Sequence, residues 1–211
     1  MPNAIPAARP SVAICVYCGA SAGSDPAYSA AAQTLGRDLA QAGIGLVYGG
    51  GGIGIMGEVA RAVLAGGGHV LGVIPEFLKA REVHLKEVTE LIVTKDMHER
   101  KMIMFQRADA FVTLPGGVGT VEELFEQLTW AQLGQHTKPI ILANVAGFWD
   151  PLIALMEHLG EQGFLHKAFI AGGEKPRYQV VNHAADIVPA CLAHLPDGGT
   201  HAADAAITRH F

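Results

Sequence analysis

Short apolar runs that are almost continuously hydrophobic punctuate the chain, and this pattern restricts the fold more than any other feature. Val12–Tyr17, Ile44–Tyr48, His69–Ile74, Glu90–Thr94, Ala110–Leu114 and Pro139–Asn144 have strand length. A strand with one wet face alternates between apolar and polar residues, whereas a run without alternation needs cover on both faces, as in a parallel sheet. Longer segments with helical spacing separate the runs: Pro26–Ala42, Ile55–Ala65, Met97–Ala108, Thr120–Leu133, Trp149–Glu161 and Ala184–Leu195. The alternation predicts an α/β chain, with a three-layer, doubly wound, mainly parallel, Rossmann-like sheet in a single domain. Ligands of such sheets bind beyond the carboxyl ends of the strands, so the loops that follow the strands are where a site is expected.

The 211 residues, half of them apolar and 17% charged, suffice for one full core and argue against disorder. The expected domain is 12–195, with residues 1–11 as a flexible N-terminal segment and 196–211 as a mobile tail without a packing pattern. A net charge of −5 offers no general attraction to nucleic acid or to an anionic membrane, so a phosphate site would have to be built locally. The N-terminus has no apolar h-region, and no uncharged stretch approaches the roughly 18 to 20 residues of a membrane span. Three cysteines fit a reducing cytoplasm, the expected address, better than a disulfide-stapled secreted domain.

Three glycine-bearing loops follow expected strands: CGASAGSDP, GGGGIGIMGEVA and PGGVGTVEE. Glycine lets backbone amides approach a ligand, and the helix that follows aims its unpaired amides at any anion there. One such loop is commonly structural; three at one sheet edge favour a phosphate or nucleotide site. The middle loop contains Gly52-x-Gly54-x-x-Gly57 with Glu76 at the end of the next strand, a dinucleotide pattern that keeps an NAD(P)-linked oxidoreductase open. Cys15-x-x-Cys18 has redox spacing, but residues three apart on a strand point to opposite faces, so buried packing is the expectation. The ten histidines form no metal-binding pattern, and neither a metal ion nor a cofactor is expected.

The stretch Leu114–Gly134, LPGGVGTVEELFEQLTWAQLG, runs from a glycine turn into a helix with an apolar stripe of Val121, Leu124, Phe125, Leu128 and Ala131. Thr120-Val-Glu-Glu123 matches a capping box in which Thr120 is the N-cap and Glu123 reaches back to its amide. Glu123 could equally serve as a catalytic carboxylate, and the residues alone leave both readings open. Arg100 and Lys101 stand near the start of the preceding helix, where cations are electrostatically misplaced unless an anion is near.

Pro115-Gly-Gly-x-Gly-Thr-x-x-Glu123, preceded by Met97-His-x-Arg-Lys101 and by YGGGGIGIMG, resembles the LOG ("lonely guy") family, cytokinin-activating phosphoribohydrolases long mislabelled as lysine decarboxylases. The similarity runs from about Val12 to Ala193 and takes in WAQLGQHTKP and Gly147–Trp149; Ala20 and Ile55 depart from the residues common there, serine and leucine. The resemblance implies hydrolysis of the N-glycosidic bond of an adenosine-type 5′-monophosphate, N6-modified or AMP itself, to free base and ribose 5-phosphate. It makes Arg100 and Glu123 the catalytic pair, and a positive charge beside Glu123 would also help to keep that carboxylate ionised. It assigns the phosphate to Gly116, Gly117, Val118, Gly119 and Thr120. Further substrate contacts fall to Glu82, Lys101, Val121, Glu122 and Thr129, and to Gly19, Ser21, Gly50 and Gly51 of the first two loops. The implied partners are a small nucleotide and further copies of the chain, as a homodimer or larger assembly, with no nucleic acid or membrane. A non-catalytic nucleotide carrier or sensor on the same fold is the alternative.

Overall fold

The computed structural model describes residues 10–79, 84–166, 169, 172, 173 and 176–195. At its centre lies β1 (Ala13–Tyr17). On one side follow β2 (Gly45–Tyr48), β3 (Val70–Pro75) and β4 (Glu90–Thr94), and on the other β5 (Ala110–Thr113), β6 (Ile140–Ala143) and β7 (Gln179–Val181). The sheet order is β4-β3-β2-β1-β5-β6-β7, and all six pairings are parallel. Every residue of β1, β2, β3, β5 and β6 is buried, which is the reason their sequences do not alternate.

Helices cover both faces. α1 (Pro26–Gln41), α2 (Gly54–Ala65) and α7 (Ile187–Leu192) pack on one, through Leu35, Leu39, Val59, Val63, Ile187 and Cys191. α4 (Met97–Gln106), α5 (Val118–Gln132) and α6 (Asp150–Glu161) pack on the other, through Met104, Phe105, Leu124, Leu128 and Met156. The doubly wound architecture expected from the sequence is the one observed. Cys15 and Cys18 belong to the cores on opposite faces, so their sulfurs diverge; both are free and buried. No described helix is long and apolar enough to cross a membrane.

The differences have local causes. β7 was not expected because it has only three residues, of which Val181 alone is buried. After β3 comes a single helical turn, α3 (Glu76–Lys79), and an antiparallel bridge joins His84 to Gly51. The last helix divides into a 3₁₀ turn at Ala184–Asp186 and α7, which places Pro189 in a first turn, where its missing amide costs no intrahelical bond. The expected N-terminal segment and tail fall outside the described residues, apart from Pro10 and Ser11.

Candidate active site

Strand order reverses between β1 and β5, and the loops leaving their carboxyl ends separate there to opposite faces of the sheet. Backbone hydrogen bonds tie these loops and the one after β2 together. The Gly19 amide donates to Pro115 O at 3.0 Å, the Met56 amide to Gly19 O at 3.2 Å and the Ile55 amide to Ser21 O at 3.4 Å. Two of the first-turn amides of α2 are therefore already satisfied by the first loop. That removes the anion cradle on which a dinucleotide reading of Gly52-x-Gly54-x-x-Gly57 depends. α1 is likewise closed, with Asp25 accepting from the Ala27 amide at 2.8 Å.

Only the third loop has the form of an open cradle. Its N-cap is Gly117, no side chain caps the helix, and Gly117, Val118 and Gly119 are exposed. Gly116 is glycine for a steric reason: a Cβ there would run into the Thr120 hydroxyl and come within 2.8 Å of the Gly19 amide nitrogen. Because α5 starts at Val118, Thr120 is its third residue rather than its cap, and the capping box expected at Thr120–Glu123 does not form. The buried stripe of α5 runs through Thr120, Glu123, Leu124, Gln127, Leu128 and Ala131, while Val121 and Phe125 are only half-buried.

A related cap, reaching one residue further back, occurs instead at the start of α4, whose N-cap is Asp96. Asp96 accepts from the Glu99 amide at 2.9 Å, and Glu99 accepts from the Lys95 amide at 2.8 Å. The bond from the Glu99 amide holds the Asp96 carboxyl below its usual range. This rigid first turn delivers Arg100 inward. Its Nε donates to Val73 O at 3.1 Å, Nη2 donates to Gly49 O at 3.5 Å, and Nη1 lies 3.8 Å from the Met97 sulfur. Two strand ends thus hold the guanidinium by main-chain carbonyls.

Glu123 faces it. Its Oε1 lies 3.6 Å from Arg100 Nη2, and each residue is only 8% exposed. Burial pushes the Glu123 carboxyl up to about 7, further than the Arg100 charge pulls it down; Glu122 and Glu126 add to the rise and Lys101 opposes it. Arg100 thus acts on Glu123 in the expected direction, but desolvation is the larger effect and leaves the carboxyl titrating near 7.

The pair opens on a cavity of about 440 Å³, whose walls include Gly19, Ser21, Gly117, Gly119 and Thr120. Of the residues expected at the site, these five and the Arg100–Glu123 pair are brought together. Gly116 lies directly behind Thr120. Among the described residues Lys101, Gly50, Gly51, Val118, Val121, Glu122 and Thr129 do not line the cavity. Lys101 bridges Glu122 at 2.6 Å and Glu126 at 2.9 Å. Burial works against its charge, but those two carboxylates outweigh it and raise its pKa. Thr129 is exposed and donates to Phe125 O at 2.7 Å. Glu82 lies outside the described residues.

Sequence reasoning missed Cys18, Gly49, Met56 and Leu78, which together with Val16 and Ala20 complete the walls. Gly49 and Met56 stood inside a motif read for phosphate, and Leu78 gave no signal because α3 is a single turn. A larger cavity of about 710 Å³ lies at the opposite ends of β6 and β7, beside His136, Lys138 and Arg177, and contains none of the expected residues.

A protein family described as "Possible lysine decarboxylase" matches residues 56–189, a stretch that carries both Arg100 and Glu123. The probable cytokinin riboside 5′-monophosphate phosphoribohydrolase LOGL1 of Oryza sativa subsp. japonica is 51% identical over 152 residues, covering 72% of this chain and 68% of the relative. The chain belongs to the LOG family. The LOG7 enzyme of Arabidopsis thaliana, named a cytokinin riboside 5′-monophosphate phosphoribohydrolase, is 50% identical over 152 residues, 72% of this chain and 70% of its own. Another LOG relative, the rice LOGL9, is 46% identical over 180 residues, 83% of this chain and 78% of its own. The solved Moco carrier protein of Chlamydomonas reinhardtii superimposes with a TM-score of 0.64 at 22% identity, over 87% of this chain and 99% of that one. The molybdenum cofactor binding protein of Rippkaea orientalis gives 0.62 at 19% identity, over 89% and 98%. At those identities the likeness to the LOG chain is one of fold.

Proposed function

We propose that the chain hydrolyses the N-glycosidic bond of adenosine-type 5′-monophosphates, N6-modified or AMP itself, releasing free base and ribose 5-phosphate. The observation that carries this reading is the buried Arg100–Glu123 pair, 3.6 Å apart, facing the same cavity as the open N-terminus of α5. A phosphate seated on the Gly116–Thr120 turn would place its ribose toward the pair.

In the proposed reaction the C1′–N bond breaks and its electron pair leaves with the base. Positive charge grows at C1′, where the Glu123 carboxylate stabilises it and orients the attacking water. The water oxygen bonds to C1′. The proton it loses passes to Glu123 and from there to the base nitrogen that received the electron pair, so the balance closes and the carboxylate is restored. A carboxyl poised near pH 7 suits such a carrier, because proton transfer is most effective when the group's pKa lies close to the working pH. Arg100 holds substrate oxygens and supplies the counter-charge to Glu123.

The reading extends to a homodimer or larger assembly and to a cytoplasmic address; the three free, buried cysteines support a reducing compartment.

Activity should follow the ionised form of Glu123. Its pKa in the folded chain is raised, so kcat/KM should rise with pH through a midpoint near 7 and then level off. Initial rates of base release from the monophosphate, measured from about pH 5 to about pH 9, test this. A profile that is flat, or that falls as pH rises through neutrality, contradicts the assigned role.

A further inference from the structure

We infer that Gly49 is a positioning residue for Arg100, and that the missing side chain at this place is what seats the guanidinium beside Glu123. The inference rests on the hydrolase reading of the pair and extends it to the second glycine loop, whose four consecutive glycines that reading leaves without a task.

Gly49 has no conformational need to be glycine. Gly50 and Gly54, its neighbours in the loop, have φ of 80° and 60°, in the left-handed region, and Gly49 does not belong to that group. Its need is space. A Cβ at residue 49 would fall on Nη2 of Arg100, 3.4 Å from the guanidinium carbon and 3.2 Å from the Met56 sulfur. All three are tips of flexible side chains. At Gly54 and Gly57 the obstacle is instead main chain: a Cβ on Gly54 would strike the carbonyl of Ala20 and come within 2.5 Å of the Ser21 nitrogen, and one on Gly57 would strike the Gly52 carbonyl. Alanine at 54 or 57 therefore attacks the fold, whereas alanine at 49 attacks the position of one cation.

The atom displaced is also the informative one. Nη2 is the nitrogen that donates to Gly49 O at 3.5 Å and faces Glu123 Oε1 at 3.6 Å. Moving it would leave Nε bonded to Val73 O but carry the charge away from the carboxylate. The second loop thus has a task different from the third. The third presents amides to an anion, and the second clears a slot in which an arginine lies against bare backbone.

A double-mutant cycle on the full chain tests this, using Gly49→Ala, Arg100→Ala and the two combined. Gly49→Ala should fold and lower kcat for the nucleoside monophosphate by about 100-fold, the scale of an ångström-sized misplacement. KM should change by less than about threefold, since the phosphate is held at α5. The acid limb of kcat/KM should move to higher pH, because Glu123 loses its cation. In the Arg100→Ala background the same change should cost less than about twofold, as the two residues act as a unit. A loss that multiplies fully in that background, an unaltered turnover, or a Gly49→Ala protein that does not fold overturns the inference.

If the wild-type chain releases no base, the hydrolase reading fails, and the seat is still read directly. The Arg100 Nη2 protons, which face Gly49 O and Glu123, should give protected resonances in wild type that shift or are lost in Gly49→Ala; identical Nη2 resonances in both overturn the seat itself.

Discussion

Replacing Glu123 with glutamine should lower turnover by about 10³-fold while leaving the protein at least as stable as wild type at neutral pH. Glutamine keeps the volume and a hydrogen-bonding carbonyl but carries no charge and accepts no proton. The side chain lies on the buried stripe of α5 and takes no part in capping the helix, so the change removes no helix-terminal bond. Arg100 retains Val73 O and Gly49 O as partners. The pH dependence of stability separates charge from packing. Burial raises the folded pKa of Glu123 from 4.5 to about 7, so folding favours its neutral form. The wild type therefore holds that contribution in acid and loses it as pH rises from about 4.5 through about 7. Glutamine does not titrate, and the loss should be absent in the variant. Thermal denaturation across this window, with turnover measured in parallel, checks both halves. Retained turnover with a much lower melting temperature would return Glu123 to a purely structural role.

Truncating Arg100 to alanine should be costly in two currencies. Val73 O and Gly49 O lose their donor, and Glu123 is left buried without its opposite charge; breaking such a pair costs about 3 to 5 kcal/mol. Turnover should fall by about 10² to 10³-fold, and the pH midpoint should climb, because desolvation and the neighbouring acids Glu122 and Glu126 are then opposed by Lys101 alone. Arg100→Lys should recover stability more than turnover. A single ammonium on a flexible stem does not reproduce the planar fork that reaches Val73 O, Gly49 O and Glu123 together. Denaturant melts and steady-state kinetics on both variants check this. Equal turnover in the lysine variant would show that a charge alone suffices.

The layers of the fold were legible because buried parallel strands must be continuously apolar, and β1, β2, β3, β5 and β6 were visible in VAICVY, IGLVY, HVLGVI, AFVTL and PIILAN. β7 was not, since a three-residue strand at the sheet edge carries no pattern. At the site, Arg100 and Glu123 could be nominated from motif residues, but their burial could not. The stripe drawn through Val121 and Phe125 follows hydrophobicity, whereas the helix is turned so that Thr120, Glu123 and Gln127 point inward. The apolar pattern does not report a face that buries polar groups for use. The glycine loops misled in a similar way. Glycine signals close approach without saying what approaches, and in the second loop it is an arginine and a methionine rather than a phosphate.

The most direct measurement is chromatographic quantification of products from isopentenyladenosine 5′-monophosphate and from AMP, with a binding titration alongside. At least one of them should yield free base and ribose 5-phosphate in equal amounts, and the yield should collapse in Glu123→Gln although the nucleotide still binds. Saturable binding of both nucleotides by the wild-type chain with no base released would contradict the hydrolase reading, and would make the cavity the pocket of a carrier.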